Sequence, residues 1–347
     1  MTSTDDVATR VGAVLERYRE PVVGEMRRAV DRAAVGHFRY IRYHLGWEDA
    51  LGATTDAPAG KMLRPAFCLL ACEAAGGGVE QAMPAAVAIE LLHNFTLIHD
   101  DIEDRSDTRH GRPALWRVVG IEQAINAGDG LFVIARREML RLRNAGVPDA
   151  RVLDAIGILD DACVQLCEGQ YADIGFESRA AVTRAEYEAM IGGKTAALLG
   201  ASAAIGALAA GVGDPAVRAF GEAGRLLGLA FQVQDDVLGI WGEAALTGKP
   251  VADDIRSKKK SFPIVHAFDE LDAERRAELA GIYAAPGEPD VERVLGLLDA
   301  AGSRAAATAT AEAYASRALA ALAPLSLAAD ALEDIVALAA FFVRRSA

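Results

Sequence analysis

Residues 97 to 113 read LIHDDIEDRSDTRHGRP, placing five acidic side chains within eight residues before the run turns basic. Carboxylates at i, i+1 and i+4 on a helix repel one another unless a cation sits between them. A similar object recurs in LAFQVQDDVLGIWGE, where Gln232, Asp235, Asp236 and Gly239 fall at matching intervals. One such cluster would pass for a solvated face. Two of them, each closing an apolar helix and each followed by a loop rich in Lys and Arg, point instead to bound metal and phosphate. Donors that are all oxygen suit Mg²⁺, which takes one or two carboxylates and completes its octahedron with water and substrate phosphates. Zinc would ask for Cys or His ligands that neither cluster offers. The basic loop residues then serve as an outer clamp on the same phosphates, Arg with two parallel hydrogen bonds.

The elements that must hold these groups are helices. Apolar residues repeat at three and four along almost every segment and nowhere alternate at two, so the expected class is all-α without strands. Helices are expected over about 5–45 with a break near Pro21, then 62–76, 81–105, 118–145, 149–178, 184–211, 215–241, 262–284, 290–322 and 327–345. On the helix carrying the first cluster, Leu91, Phe95, Ile98 and Ile102 form a core stripe, and His93, Leu97, Asp100 and Asp104 form a second one. The two loops at 105–117 and 242–261 follow the acidic helix ends, where binding groups concentrate.

With 347 residues, 52% hydrophobic and 24% charged, the chain can bury a large core. No compositional shift or linker divides it, so one domain spanning 1–347 is expected. A formal charge of −13 argues against a nucleic-acid binder. Cys68/Cys72 and Cys163/Cys167 lie four apart in apolar helical patterns and read as buried reduced thiols. The N-terminus lacks the pattern of a signal peptide, which together with the thiols suits a cytoplasmic protein. Thr195 to Gly213 is uncharged and long enough to cross a bilayer, but its Ala and Gly content reads better as a tightly packed buried helix, so no transmembrane segment is expected.

Taken in order, GKMLRP at 60–65, LLHNFTLIHDDIED, RHGRP, EGQYADI at 168–174, GGKTAALL at 192–199, FQVQDDVLG and TGKPVADDIRSKKKS resemble the trans-isoprenyl diphosphate synthases over nearly the full length. The resemblance implies a helical bundle around a deep apolar cavity, usually a homodimer. It also implies that Asp100, Asp101, Asp104 and Asp235 bind a cluster of three Mg²⁺ ions on the diphosphate of an allylic substrate. Arg109, Lys194, Thr195, Gln232, Lys249 and a lysine of the 258–260 run would hold the same diphosphate, Lys259 being favoured over Lys260. Lys61, Arg64 and His93 fall where the family binds isopentenyl diphosphate. Phe95 and Thr96, five and four positions before the first Asp, fall where the family sets product length, and resemble short-chain synthases with C20 ahead of C15.

Two positions depart from the pattern. The second acidic motif usually ends in Asp and here ends in Gly239, expected to weaken metal binding modestly. The basic loop usually reads Arg-Arg and here reads Arg109-His110, so protonated His110 is expected to assist the second diphosphate as pH falls toward 6. Asp235-Asp236-x-x-Gly239-x-x-x-Glu243 also approaches a metal motif of class I terpene cyclases, which ionise a single diphosphate. A cyclase has no use for Lys61, Arg64 and His93, so chain elongation stands ahead of it. A third reading, a non-catalytic partner subunit, is opposed by the intact Asp100, Asp101, Asp104, Asp235 and Lys194.

Overall fold

The computed structural model describes residues 4–33, 39–55, 60–242 and 251–344. Its helices are α1 (Thr4–Ala33), α2 (Arg39–His44), α3 (Leu63–Ala74), α4 (Val79–Glu103), α5 (Leu115–Val119), α6 (Ile121–Met139), α7 (Asp149–Glu177), α8 (Arg184–Ile191), α9 (Ala197–Ala209) and α10 (Asp214–Trp241). After them come α11 (Asp253–Arg256), α12 (Phe262–Glu270), α13 (Ala273–Ala284), α14 (Val291–Ala300), α15 (Ser303–Leu322) and α16 (Ala329–Arg344). The all-α expectation holds, and the two acidic clusters close α4 and α10.

Helices α4, α9 and α10 form the centre. α10 packs on α9 and α15, α4 packs on α6 and α3, and α9 lies against α3. All thirteen residues of α9 are buried, as expected of a helix that is apolar all round. Small residues make this possible: a Cβ on Gly206 would lie 2.0 Å from the carbonyl oxygen of Cys68 on α3. Among the described residues, Arg184–Ala209 is the one helical stretch long and apolar enough to cross a membrane, and 78% of its most apolar window is buried in the bundle. A second apolar cluster, including Ile240, Ile255, Ile264, Leu279 and Leu298, joins the end of α10 to α11–α14.

Several boundaries differ from expectation for local reasons. α1 continues through Pro21 because Tyr18, Val22 and Met26 are buried around it, and that packing outweighs the hydrogen bond proline cannot make. Gly120, at φ 83°, separates α5 from α6. The last turn of the expected 118–145 helix tightens into a 3₁₀ segment, Leu140–Ala145. Leu271 turns extended and Asp272 caps α13 through the Arg275 N–H, dividing the expected 262–284 helix. Gly302, at φ 65°, divides α14 from α15.

The expected absence of strands needs one correction. β1 (Thr108–Arg109) pairs antiparallel with β2 (Arg112–Pro113). The two residues between them, His110 at φ 51° and Gly111 at φ 74°, are both left-handed, the backbone of a two-residue hairpin turn. A ladder two residues long leaves no period to read in sequence. Arg112 pins this hairpin to α2 by donating to the carbonyl oxygens of Tyr43 at 2.8 Å and His44 at 3.3 Å.

The thiol expectation is half right. All four cysteines are free, and Cys68 and Cys72 are buried, but Cys163 is half-buried and Cys167 exposed. Positions 164, 165 and 168 of α7 are exposed too, so this apolar helical pattern does not face the core throughout.

Candidate active site

Two cavities meet between α4, α7 and α10. The first, about 500 Å³, is lined by Lys61, Arg64, His93, Arg109, His110 and Asp235. The second, about 390 Å³, is lined by Phe95, Thr96, Asp100, Lys194, Thr195 and Cys167 among others. Arg64, His93 and Leu97 belong to both walls. The expected second stripe of α4 is therefore the ridge between the chambers, since His93, Leu97 and Asp100 follow one another along it.

At the end of α4 neighbouring carboxylates separate. Asp100 stands at the second chamber, 3.4 Å from Lys194 Nζ and 3.5 Å from Arg109. Asp101, 1% exposed, accepts from Arg109 Nε at 2.9 Å and Nη2 at 2.5 Å. Sequence placed it among the metal ligands; in the fold its Oδ1 holds the guanidinium of Arg109, and its Oδ2 is buried with no hydrogen-bond partner among the described residues. The physical reason is the helix itself, which turns successive side chains about 100° apart. Asp104 caps the helix on the exposed side. Desolvation, then Asp100, Asp173 and Glu177, push its carboxyl up to about 6 against the pull of Lys194.

Lys194 reaches this place through a backbone device. Residues Gly192–Ala196 form a π-helical turn between α8 and α9, where helices commonly bulge at functional sites. Gly193 crosses Gly169 of α7 so closely that a Cβ on Gly169 would lie 2.2 Å from the Lys194 amide nitrogen. The ammonium then lies 2.5 Å from Asp173 Oδ2. Burial disfavours its charge, but Asp100, Asp173 and Asp104 outweigh that and raise its pKa. Thr195 donates to Gln232 Oε1 at 2.8 Å, tying this turn to α10.

At the end of α10 the same division recurs. Asp235 is exposed and lines the first chamber. Asp236, 1% exposed, accepts from the Tyr187 hydroxyl at 2.6 Å, the Phe262 N–H at 2.8 Å and Gln232 Nε2 at 3.0 Å. Lys259 Nζ lies 3.5 Å from Asp236 and 3.7 Å from Asp254. Lys260, by contrast, is 4% exposed, donates to the Lys258 carbonyl and lies over the Tyr283 ring. Of the two lysines left open by the sequence, Lys259 is the one beside the acidic cluster. Lys249 and Glu243 lie outside the described residues.

The first chamber has a cationic rim over a buried polar floor. Arg64 Nη1 donates to His93 Nε2 at 3.0 Å. Burial, with Arg64 and Arg109 beside it, pushes the imidazole of His93 well down, so it is neutral and accepts that bond. Beneath them Asn94 donates to Glu90 Oε1 at 3.2 Å. Burial pushes Glu90 up to about 7 against the pull of Arg64. Burial, then Arg109 and His110, takes His44 down to about 3. His110 faces Gly60, whose Cβ would lie 3.6 Å from its ring. Burial, then Arg109 and Arg112, lowers its pKa, so the imidazole charges at lower pH than an ordinary histidine. The expected gain from His110 therefore begins further below pH 6.5 than the sequence alone suggests.

His44, Glu90, Asn94, Asp173, Tyr187 and Asp254 escaped selection from sequence. Asp173 lies inside EGQYADI and Glu90 one turn before His93, so motif position could have flagged both. Nothing local marks His44 or Tyr187, which join the site only through tertiary packing.

Among the described residues no three His, Cys, Asp or Glu side chains converge closely enough to hold a bare metal ion. That is compatible with Mg²⁺, which needs one or two protein carboxylates when phosphate oxygens supply the rest. Asp100 and Asp104 offer such a pair one turn apart, and Asp235 offers a carboxylate on the other side. Phe95, meanwhile, lines the second chamber, its ring centroid 4.8 Å from His99 and 5.4 Å from Phe132.

Comparison with known proteins agrees with this geometry. The chain is 39% identical to a geranylgeranyl diphosphate synthase of Mycobacterium tuberculosis, over 96% of this chain and 93% of that protein. It is 35% identical to a (2E,6E)-farnesyl diphosphate synthase of Mycobacterium bovis, over 99% of this chain and 96% of that protein. The crystal structure of a polyprenyl synthetase from Streptomyces coelicolor A3(2) superposes with a TM-score of 0.89 at 36% identity, covering 96% of this chain and 99% of that one. The family model described as polyprenyl synthetase matches residues 48–299. With two adjoining chambers, paired acidic helix ends and this match over most of its length, the chain belongs to the polyprenyl synthetase family.

Proposed function

We infer that the chain is a magnesium-dependent trans-prenyltransferase that joins isopentenyl diphosphate to an allylic diphosphate and releases a short-chain prenyl diphosphate. The observation that carries this reading is the pair of chambers sharing Arg64 and His93, each with its own cationic groups. A cyclase ionises one diphosphate and has no use for the rim of Lys61, Arg64 and His110.

When bound, Mg²⁺ supplies charge stabilisation to the departing allylic diphosphate. Asp100, Asp104 and Asp235 are the residues that would hold it, as the family's general dependence on magnesium suggests; a three-ion cluster is what the family resemblance implies. Arg109, Lys194 and Lys259 stabilise the leaving diphosphate directly, with Thr195 and Gln232 orienting it. Fixed charges aimed at the leaving group are the largest stabilising contribution available to such a reaction. Leu97 and Phe95 keep water from the allylic centre. Lys61, Arg64 and His93 hold isopentenyl diphosphate so that its alkene faces that centre. The diphosphate just released takes the proton that completes the product.

Phe95, with Thr96 one residue nearer the first Asp, would limit chain length to C20 or C15. The M. tuberculosis relative's name favours C20. Ile121, Ile125 and Val133 on α6 and Val164 on α7 are exposed, apolar side chains that a homodimer would cover. Light scattering on the purified chain measures that mass. The test of function is incubation with Mg²⁺, isopentenyl diphosphate and each of the C5, C10, C15 and C20 allylic diphosphates, with analysis of prenyl diphosphates and cyclic hydrocarbons. Elongation requires both substrates; hydrocarbon from one alone would overturn the reading.

A further inference from the structure

The register of the small hairpin sets Arg109 directly across from Arg112, and like charges placed opposite each other push a strand pair apart. Here each guanidinium is drawn away by a different helix. Arg109 grips Asp101 near the end of α4. Arg112 runs to the last turn of α2, where its Nη2 donates to the carbonyl oxygens of Tyr43 at 2.8 Å and His44 at 3.3 Å. The carbonyls at a helix C-terminus lack partners within the helix, and a cation is favoured there. The hairpin is thus a strut between α2 and α4.

At α2 the strut ends in a clasp with two sides. The guanidinium carbon of Arg112 lies 4.9 Å from the centroid of the Tyr43 ring, and the Tyr43 hydroxyl returns to the hairpin by donating to the Pro113 carbonyl at 2.8 Å. Tyr43 is buried, so water does not readily replace these contacts. Nε and Nη1 of Arg112 are buried with no hydrogen-bond partner among the described residues, so α2 is what its hydrogen bonds hold. Beside the clasp stand two groups of the first chamber. His44 follows Tyr43 in the chain, and His110 stands at the tip of the hairpin next to Arg109; both line that chamber.

We propose that Arg112, clasped to Tyr43, is a positioning residue for the first chamber: it sets the spacing of His44 and His110, and so the fit of the diphosphate that enters between them. Arg109 has its own anchor in Asp101, so the allylic side keeps its geometry when the clasp is broken. This rests on the reading that the first chamber takes isopentenyl diphosphate, and it goes beyond that reading by giving a role to two residues that line neither chamber.

The experiment compares Arg112→Lys and Tyr43→Phe with the natural chain. Hydrogen exchange follows the Ala114 N–H, which closes the hairpin by donating to the Asp107 carbonyl at 2.9 Å. Calorimetry measures affinity for isopentenyl diphosphate, and steady-state assays measure kcat and KM for each substrate. Arg112→Lys keeps the positive charge and loses the planar fork and its stacking on the ring, so its effect reports placement and not the field of the charge. It is expected to speed exchange at Ala114 and to weaken binding of isopentenyl diphosphate about 10-fold, a part of the roughly 100-fold that misplacing a group by about 1 Å can cost. KM for isopentenyl diphosphate should rise in step, with kcat and KM for the allylic diphosphate held within about 2-fold, the pattern of lost binding to one substrate. Tyr43→Phe removes one hydrogen bond and should act in the same direction by about 3-fold. It keeps the ring, so it tests the proposal even where Arg112→Lys folds poorly. Unchanged binding of isopentenyl diphosphate in both variants overturns the proposal, as does an equal rise in both KM values, which is what a general loss of structure produces. If the natural chain binds isopentenyl diphosphate and the variants weaken it as expected, but no prenyl diphosphate forms, the functional reading fails and this inference stands.

Discussion

The ends of α4 and α10 carry the same pair of adjacent aspartates and use it the same way. In each, the first residue faces a chamber, Asp100 or Asp235, and the second, Asp101 or Asp236, is 1% exposed and hydrogen-bonded by protein partners, although Asp101 Oδ2 has none among the described residues. The two ends differ in the anchor and in the residue one turn later. Asp101 holds a single cation, Arg109, whereas Asp236 holds the Tyr187 hydroxyl, the first N–H of α12 and Lys259. α4 continues to Asp104, while α10 continues to Gly239 and receives a carboxylate from Asp254. One motif ends in a carboxylate on its own helix; the other ends in a glycine against which the Asp254 carboxylate packs. A repeated sequence pattern can therefore mean one chemistry supported by two different scaffolds.

The sharpest way to break this comparison is to remove the chamber-facing member of each pair. Asp100→Asn and Asp235→Asn should each lower kcat by about 100-fold or more, as expected for loss of a group that stabilises transition-state charge. Near-normal turnover in both would undo the metal assignment. The buried members should fail differently. Breaking a buried ion pair costs about 3–5 kcal/mol, and with Arg109 partly exposed Asp101→Asn should sit at or below the low end of that range, seen as a fall in Tm. Asp236→Asn should destabilise more, since it serves four partners, Tyr187, Phe262, Gln232 and Lys259, instead of one.

The chambers themselves differ in a way that product analysis reads. Phe95→Ala should open the second chamber and lengthen the product, with little effect on KM for isopentenyl diphosphate. Unchanged product length would remove Phe95 as the floor.

Smaller effects come from titration in the first chamber. Glu90, raised to about 7, loses its charge as pH falls through 7, leaving Arg64 less neutralised. Apparent affinity for isopentenyl diphosphate should then improve as pH falls, first through Glu90 and at lower pH through His110, whose pKa is lowered. Glu90→Gln should flatten the profile near 7 and His110→Ala should flatten it below 6.5; KM measured from pH 5.5 to 8 checks both. His44, depressed to about 3, contributes stability that is present above its unfolded value of about 6.5 and lost as pH falls toward 3. Denaturant midpoints of His44→Gln should fall less steeply over that window.

Much of the site was legible because its residues lie within motifs on single helices. The stripe His93, Leu97, Asp100 is a local consequence of helical geometry, and the structure makes it the ridge between chambers. Lys61, Arg64 and Lys194 came from motif resemblance, and they line the two chambers. Helix existence was legible for the same reason, because a buried face repeats at three and four. The breaks at Leu271 and Gly302 and the continuity at Pro21 were not, since single residues there are decided by the neighbours they pack against.

Sequence by itself determined the helical class, the two acidic helix ends and the basic loops beyond them, because all of these are encoded at short spacing. Tertiary structure alone decided that Asp101 and Asp236 are buried anchors and that the Asp254 carboxylate packs against Gly239. Those outcomes depend on which side chains from distant segments reach the same few ångströms, and no local period records that.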